Sequence, residues 1–159
     1  MNVTQHGYTI DVAMRDDRLL GAALGDTASW STWIAVLKAA FGLGLTDEQR
    51  ELFASVAGQR MPPRDRVREL WCRRAGKSRI AALVAVYIAL FAPVKLAPGE
   101  RGAVLVLANG IDQAGLVFSY AKAFLTESPV LRREIVSVTK SEIRLRNGTT
   151  IAVHANSFR

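Results

Sequence analysis

Residues 75–78, which read A-G-K-S, have the side-chain types that bind a nucleoside triphosphate. They form the second half of a phosphate-binding loop of pattern G-x-x-x-x-G-K-[ST], and Trp71 stands where the first glycine belongs. Gly76 lets the backbone approach a phosphate, and Lys77 can reach the β- and γ-phosphate oxygens. The Ser78 hydroxyl can hold Mg²⁺. The half of the motif that is present therefore predicts ATP and Mg²⁺ as ligands.

The residues on either side of the loop predict the elements that would position it. Residues 67–72 (V-R-E-L-W-C) have strand-forming types, and residues 80–92 are thirteen residues without a charge, ended by Pro93. This run is shorter than the roughly 20 apolar residues that span a bilayer, and it is apolar on all sides, as in a buried helix. A strand, a G-K-S loop and a helix place a phosphate at a helix N-terminus. The alternative is a chance G-K-S in a basic loop before a core helix.

Length and composition set the class of protein. The chain has 159 residues, half of them apolar, which fits one domain with a substantial core and excludes a mainly disordered chain. Cys72 is the single cysteine, so an intrachain disulfide is excluded and a reducing compartment fits. The first twenty residues carry three aspartates and lack the apolar stretch of a signal peptide. We therefore expect a cytoplasmic protein with no membrane segment.

The basic charge is concentrated around the loop. The formal net charge of the chain is +7, and residues 64–79 contain seven basic and two acidic side chains, a net charge of +5. Such a cluster favours a polyphosphate and, beyond it, a nucleic-acid backbone. For any single arginine outside the loop, an ordinary solvated surface position is the alternative.

The part of the chain before the loop predicts helices. Residues 1–25 show little periodicity, and we expect a loosely ordered arm. Residues 27–41 have an apolar helical face on which Trp30 and Trp33 lie, a spacing that favours core packing over nucleotide stacking. Residues 46–49 (T-D-E-Q) predict a capping box, which would open a second helix with Leu52, Phe53 and Val56 on its apolar side and Gly58 at its end.

The part after the loop predicts strands and one helix. Residues 103–108 (A-V-L-V-L-A) are a continuous apolar run, typical of a parallel strand covered on both faces. Residues 112–125 predict a helix that buries Leu116, Val117, Tyr120, Phe124 and Leu125. The helix at 80–92 and the strand that follows it would form a right-handed β-α-β unit with the strand before the loop.

Residues 142–153 predict a β-hairpin around Asn147-Gly148. A two-residue turn would separate the apolar residues of its two strands onto opposite faces. A three-residue loop over 146–148, with Gly148 left-handed, sets Ile143 opposite Ile151 and keeps the apolar residues on one face. We therefore predict the three-residue loop.

In their order and spacing these segments resemble the N-terminal ATPase region of the large terminase subunit of tailed bacteriophages. The resemblance spans residues 30–159. It includes A-F-G-L at 40–43, G-Q-R-M-P-P at 58–63, C-R-R-A-G-K-S-R at 72–79, V-L-V-L-A at 104–108 with Gln113-Ala114 behind it, I-R-L-R-N-G at 143–148 and I-A-V-H-A-N-S-F-R at 151–159.

The resemblance implies a motor. The family's large subunit hydrolyses ATP to drive double-stranded DNA through a portal protein into a capsid, with a small terminase subunit as partner and a homo-oligomeric ring as the assembly. The implied fold is α/β, a P-loop NTPase-type sheet with flanking helices. By this pattern residues 1–25 are the arm, 26–63 a helical lead-in and linker, and 64–159 the first part of the ATPase domain. The expected location is the host cytoplasm.

The family pattern also assigns residues. It gives Lys77 and Ser78 to the triphosphate and Mg²⁺, and it makes Arg73 or Arg74 an arginine finger for the γ-phosphate. The rest of the loop joins the nucleotide-binding set, namely Cys72, Ala75, Gly76 and Arg79. Gln49 and Gln59 are the candidates for reading adenine.

The chain departs from the family pattern in three ways. Cys72 stands where relatives have a glycine, and the strand before the loop is two or three residues short. The third departure is that the sequence reaches Arg159 before any apolar strand ending in Asp-Glu, so we expect an incomplete domain that binds nucleotide but hydrolyses it slowly. Asp112, expected to cap a helix, and Glu142, in the hairpin, are poor substitutes for that carboxylate.

Two other functions stay open on the sequence. One is a nucleic-acid-binding remnant without turnover, and the other is a different, helicase-like P-loop NTPase. His6 and His154 have no second ligand at metal-binding spacing, so no metal is predicted beyond the Mg²⁺ that accompanies a nucleotide.

Overall fold

The computed structural model describes residues 7–58, 76–92 and 96–156. Within these ranges the fold is mixed α/β, with a four-stranded sheet flanked by helices. Short 3₁₀ helices cover Leu20–Ala23, Thr27–Trp30 and Leu131–Glu134. The α-helices are α1 (Ile10–Arg15), α2 (Ser31–Ala40), α3 (Asp47–Ala57), α4 (Lys77–Phe91) and α5 (Ile111–Thr126), and the strands are β1 (Ala103–Ala108), β2 (Ile135–Val138), β3 (Glu142–Leu145) and β4 (Thr150–Ala155).

The sheet is mixed, with strand order β1-β4-β3-β2. Strand β1 runs parallel to β4, and the β3 pairings with β4 and β2 are antiparallel. Between the two parallel strands the chain passes through α5, the 3₁₀ helix Leu131–Glu134, β2 and β3. Helix α5 covers one face of the sheet. The predicted strand at 67–72, and with it the β-α-β unit through α4, lies outside the described residues.

The hairpin has the predicted register. Ile143 pairs with Ile151, and the Leu145 N–H donates to the Thr149 carbonyl at 2.9 Å. Gly148 has a φ of 84° and closes the three-residue loop with a hydrogen bond from its N–H to the Leu145 carbonyl at 3.1 Å. Ile143, Leu145, Ile151 and Val153 are all buried. This register is confirmed because it is the one that places every apolar side chain of the hairpin in the core.

Strand β1 has the predicted bounds but is covered on one face instead of two. Its side chains alternate, with Leu105 59% and Leu107 61% exposed while Val104 and Val106 are half-buried. Helices α4 and α5 both contact β1, and both lie on the side of Val104 and Val106. The prediction of a doubly covered strand is therefore wrong within the described part of the chain, since a continuous apolar run does not specify what lies against its second face.

Helix α4 is the buried helix that the sequence predicts. It begins at Lys77, three residues before the uncharged run, because Gly76 is its N-cap. Leu83 and Val86 are fully buried, and Ile80 and Leu90 nearly so. Helix α5 packs along α4 through Val117, Phe124 and Leu125, but Leu116, predicted to be buried, is 46% exposed.

The helices before the loop are confirmed with two corrections. The segment 27–41 starts as a 3₁₀ helix and becomes α2 at Ser31. The capping box at the start of α3 forms, with the Gln49 N–H donating to Thr46 Oγ1 at 3.3 Å and the Thr46 N–H to Gln49 Oε1 at 3.1 Å. Gly58 ends α3 in the left-handed conformation. On α3 Phe53 is buried, whereas Val56 is 57% exposed, contrary to the predicted apolar side.

The N-terminal segment is packed into the core over residues 10–24, which corrects the prediction of a loose arm. Ile10, Met14 and Leu20 are fully buried, in the same core as α2, α4, α5 and the sheet. The Ser128 hydroxyl donates to the Arg18 carbonyl. Helix α1 has only six residues, so its sequence shows less than two turns of periodicity, and its burial depends on contacts distant in the chain.

A second tie holds this segment to α4. The Tyr87 hydroxyl donates to the Tyr8 carbonyl at 2.9 Å. Burial, followed by the charge of Asp11, raises the pKa of the Tyr87 phenol. The neutral hydroxyl that makes the bond is thus the favoured form in the folded protein.

Among the described residues, no helix combines the length and apolar character needed to cross a membrane.

Candidate nucleotide-binding site at the start of α4

Gly76 gives the loop its shape where it enters α4. Its φ of 74° and ψ of 16° are left-handed, a conformation that L-residues with a side chain adopt at a cost. Its carbonyl accepts hydrogen bonds from the N–H groups of Arg79, at 3.0 Å, and Ile80, at 3.1 Å. A Cβ built on Gly76 would lie 3.4 Å from two ring carbons of Trp30. The position therefore favours glycine by backbone conformation and leaves little room beside the indole.

Lys77 and Ser78 are the first two residues of α4. Gly76 and Lys77 are exposed, and Ser78 is half-buried. No side chain of the described residues caps this helix. The backbone N–H groups of a helix's first turn have no partner within the helix, and they carry the positive end of its dipole. A phosphate would supply acceptors to these N–H groups, which no side chain of the described residues caps, so the residues present fit a triphosphate and its Mg²⁺.

The start of α4 lies toward the carboxyl edge of the parallel strands. Ile88 and Ala92, near the end of α4, line one small cavity together with Gly102 and Val104 at the beginning of β1. The opposite end of α4 therefore points toward the end of β1. The ends of β1 and β4 share that edge, where the Asn156 N–H donates to the Ala108 carbonyl at 2.7 Å. Ligands of α/β sheets bind characteristically at this edge.

Helix α5 also begins at this edge, directly after β1. Its N-cap is Gly110, again without a side-chain cap. Asp112, predicted to cap the helix, lies instead in its first turn, where a carboxylate interacts favourably with the helix dipole. Two helix N-termini thus lie at the edge where β1 and β4 end.

An apolar groove of about 440 Å³ runs from Lys77 along β1. Lys77 is the charged member of its lining. The remaining walls come from α2, α4 and β1, through Trp33, Leu37, Ile80, Ala81, Val84, Ala85, Ile88, Val104, Leu105, Val106 and Leu107. Within the described residues β1 pairs only with β4, so its other edge borders this groove.

Arg79 is engaged by the N-terminal segment. Its guanidinium donates to the Ala23 carbonyl and lies 5.3 Å from the centroid of the Trp30 ring, a cation–π geometry. The indole N–H of Trp30 in turn donates to the Leu24 carbonyl at 3.2 Å. The predicted contact of Arg79 with nucleotide therefore gains no support, because its guanidinium is held by the protein.

Trp30 is the contributor to the site that sequence reasoning missed. The helical pattern places it correctly on an apolar face, and its ring is half-buried against the core. The position of that ring beside Gly76 and its cation–π contact with Arg79 arise from the fold. Residues this far apart in the chain leave no joint signal in one sequence, so no local pattern would have revealed the pairing.

Several other predicted site residues lie outside the described ranges, namely Cys72, Arg73, Arg74, Ala75 and Gln59. Gln49 is described, and its Oε1 accepts hydrogen bonds from the Thr46 N–H and from Lys38 Nζ, the latter at 2.9 Å. The Gln49 amide oxygen therefore links Lys38 of α2 to the N-cap of α3. This engagement argues against a role in reading adenine.

His154 is exposed on β4. In the ranges that the structure covers, no group of three or more histidine, cysteine or acidic side chains could hold a metal ion.

Comparison of the chain with protein-family models, curated proteins and solved structures finds no match.

Proposed function

We propose that the start of α4 binds the triphosphate of Mg-ATP, and that the chain is the ATP-binding part of a terminase-type viral motor that moves double-stranded DNA into a capsid. One observation carries the first half of this proposal. Gly76 is left-handed at the N-cap of a buried helix, and Lys77 and Ser78 follow it directly in the first turn. The order and spacing of the sequence segments support the second half.

Each residue of the turn has a role in this proposal. The backbone N–H groups at the start of α4 donate to phosphate oxygens, and the Lys77 ammonium neutralises charge on the β- and γ-phosphates. The Ser78 hydroxyl would hold the Mg²⁺ that accompanies the nucleotide. Mg²⁺ bound with the nucleotide would offset the charge of the phosphates. Arg73 or Arg74 would act on the γ-phosphate, as the family resemblance implies. Arg79 stabilises the turn through its cation–π contact with Trp30.

A DNA-binding module without turnover is the second candidate. The net charge of +7 favours it, because a basic surface binds a nucleic-acid backbone whether or not ATP is hydrolysed. A helicase-like P-loop NTPase would share the same turn. ATP turnover stimulated by DNA distinguishes the motor from the module.

Nucleotide binding is tested by titrating the full chain with a fluorescent ATP analogue at millimolar Mg²⁺. We expect saturable binding that weakens at least tenfold in Lys77→Ala, since removing a charged partner of phosphate costs roughly 1.5–3 kcal/mol. Lys122→Ala removes an exposed lysine of α5 and is the matched control, with unchanged affinity. Ser78→Ala should weaken binding in the presence of Mg²⁺ and leave the metal-free affinity unaltered.

Two results would overturn nucleotide binding at this turn: no saturable binding at millimolar Mg-ATP, or equal affinity in Lys77→Ala and the wild type. For the motor, double-stranded DNA should raise the rate of ATP hydrolysis, and Lys77→Ala should abolish that rate while DNA binding persists. DNA binding by a wild-type chain that binds no nucleotide at millimolar Mg-ATP would favour the module instead.

A further inference from the structure

A row of basic side chains lies at the β2–β3 side of the sheet, opposite the edge formed by β1. We call it the β3 basic row. Its five members are all exposed, and they are Arg132, Arg133, Lys140, Arg144 and Arg146. None belongs to the start of α4 or to the basic cluster at 64–79.

Backbone contacts gather three of the arginines at one end of the row. The Arg146 N–H donates to the Glu134 carbonyl at 2.8 Å, and Arg146 Nε donates to the Arg133 carbonyl at 2.5 Å. These bonds hold the hairpin loop against the 3₁₀ helix Leu131–Glu134. Arg132 and Arg133 belong to that 3₁₀ helix, so these two residues lie at the same end of the row as Arg146.

Strand β3 extends the row toward the turn before it. Ile143 and Leu145 face the core, so Arg144 between them projects from the opposite face, paired across the sheet with Ser137 and Thr150. Lys140 lies in the turn that joins β2 to β3. At about 3.3 Å per residue along a strand, the row extends over roughly 20 Å.

Among the described residues, no ion pair neutralises a charge of the row. The ion pairs that the described residues form are Arg18–Asp16, Lys38–Asp11 and Arg50–Asp47, and none includes a member of the row. Two acidic residues lie within it. Glu134 is buried, and Glu142 is half-buried on the face of Arg144. A net positive line of charge therefore faces solvent.

We propose that the β3 basic row binds the phosphate backbone of double-stranded DNA without reading its sequence. Four of the five cations are arginines, whose planar guanidinium binds phosphate oxygens through paired hydrogen bonds, although the Nε of Arg146 is already engaged by the Arg133 carbonyl. A line of charges about 20 Å long matches an extended polyanion better than a single small anion. The choice of DNA rests on the proposed function, whereas the position of the site rests on the row alone.

An anionic lipid surface is the competing partner, because Val136 and Val138 of the neighbouring strand β2 are exposed. Two valines on a short strand offer little apolar area compared with the helices that proteins insert into a membrane interface. The arginine-rich line therefore favours nucleic acid.

The test measures binding of the full chain to a fluorescein-labelled 30-base-pair duplex by anisotropy, over a series of salt concentrations without nucleotide. Each phosphate contact contributes about −0.9 to the slope of log K against log salt, which is roughly an eightfold loss of affinity per lost contact at 0.1 M salt. We expect Arg132→Gln/Arg144→Gln to remove about two phosphate contacts. The affinity at 0.1 M salt should then fall about 60-fold, and the magnitude of the slope should fall by about 1.8. Arg132→Lys/Arg144→Lys, which keeps the charges, should retain most of the slope.

Arg101→Gln is the matched control, since Arg101 is an exposed arginine next to β1 at the far edge of the sheet. It should bind DNA as the wild type does, and circular dichroism should show that all variants stay folded. The proposal is overturned if the Gln pair binds with wild-type affinity and slope, if the wild type binds no duplex, or if it prefers vesicles containing anionic lipid over the duplex. These outcomes are independent of Lys77, so loss of ATP binding in Lys77→Ala leaves this inference standing and loss of DNA binding leaves the nucleotide site standing.

Discussion

The two ends of helix α4 differ in their surroundings. At its C-terminal end Tyr87 and Phe91 form an aromatic cluster with Tyr8 and Phe41, with ring centroids 5.2 Å apart for Phe41–Tyr87 and 5.8 Å for Tyr8–Phe91. At its N-terminal end Gly76 and Lys77 are exposed, and no side chain of the described residues caps the helix. One end is fixed by buried rings, and the other presents backbone donors and a cation to solvent.

The C-terminal end of α4 therefore contributes mainly to folding stability, and the N-terminal end is the one proposed to bind a ligand. Buried aromatic area contributes several kcal/mol to folding, whereas an exposed polar turn contributes little. A turn of this kind can be shaped for a ligand because the rest of the helix keeps it in place. Substitutions at the two ends should therefore affect different measurements.

Phe91→Ala should produce the largest loss of stability. Phe91 is 7% exposed, and removing a buried phenyl ring costs about 3–5 kcal/mol. Urea denaturation followed by circular dichroism would measure the change. Ile111→Ala, at a residue that is 79% exposed, is the control and should leave the unfolding midpoint nearly unchanged. A cost below about 1 kcal/mol for Phe91→Ala would show that the aromatic cluster does not anchor the helix.

Gly76→Ala should cost an intermediate amount. A methyl group at a φ of 74° is strained by about 1–2 kcal/mol, while its 3.4 Å distance from the Trp30 ring is an ordinary van der Waals contact. Gly115→Ala is the matched control, because Gly115 lies inside α5 with no atom within 4 Å of a built Cβ. That second change should stabilise the protein by up to about 1 kcal/mol. Equal effects of the two changes on the thermal midpoint would contradict the strained conformation at Gly76.

Tyr87→Phe should cost about 0.5–1.5 kcal/mol, the net value of one hydrogen bond. The effect depends on pH. Because the folded-state pKa of Tyr87 is raised, its stabilisation is complete below the unfolded pKa of about 10 and is lost as pH rises through the folded value. Thermal unfolding measured between neutral and strongly alkaline pH should show a steeper loss of stability for the wild type than for Tyr87→Phe. Parallel curves would refute this role of the phenol.

Lys77→Ala should have the smallest effect on stability, less than about 1 kcal/mol, since Lys77 is an exposed residue at a helix start. The same variant is the one expected to lose nucleotide affinity. Chemical denaturation and nucleotide titration on one preparation would show the separation directly. A large loss of stability in Lys77→Ala would remove the contrast between the two ends of α4.

Local patterns in the sequence predicted much of the fold. The register of the β3–β4 hairpin followed from the requirement that Ile143 and Ile151 share a face, and the capping box at Thr46 followed from four consecutive residues. Helix α4 followed from an uncharged run. Each of these features is determined by neighbours in the chain.

Features that depend on distant partners were not predictable. The burial of residues 10–24 requires α4 and α5 to lie against a segment too short to show helical periodicity. The open face of β1 depends on what the rest of the fold supplies. At the site, the G-K-S motif identified Gly76, Lys77 and Ser78, but the engagement of Arg79 by Ala23 and Trp30 could be seen only in three dimensions.

Because Trp30 lies beside Gly76, it can serve as an intrinsic fluorescence reporter of this turn. The indole is fixed by its hydrogen bond to the Leu24 carbonyl, touches the position where α4 begins, and carries Arg79 on its ring. Tryptophan emission responds to the polarity and charge around the ring, so a ligand that displaces Gly76 or Arg79 should shift the emission of Trp30. The chain has three tryptophans, and the part of the signal that disappears in Trp30→Phe would report occupancy of this turn without any label.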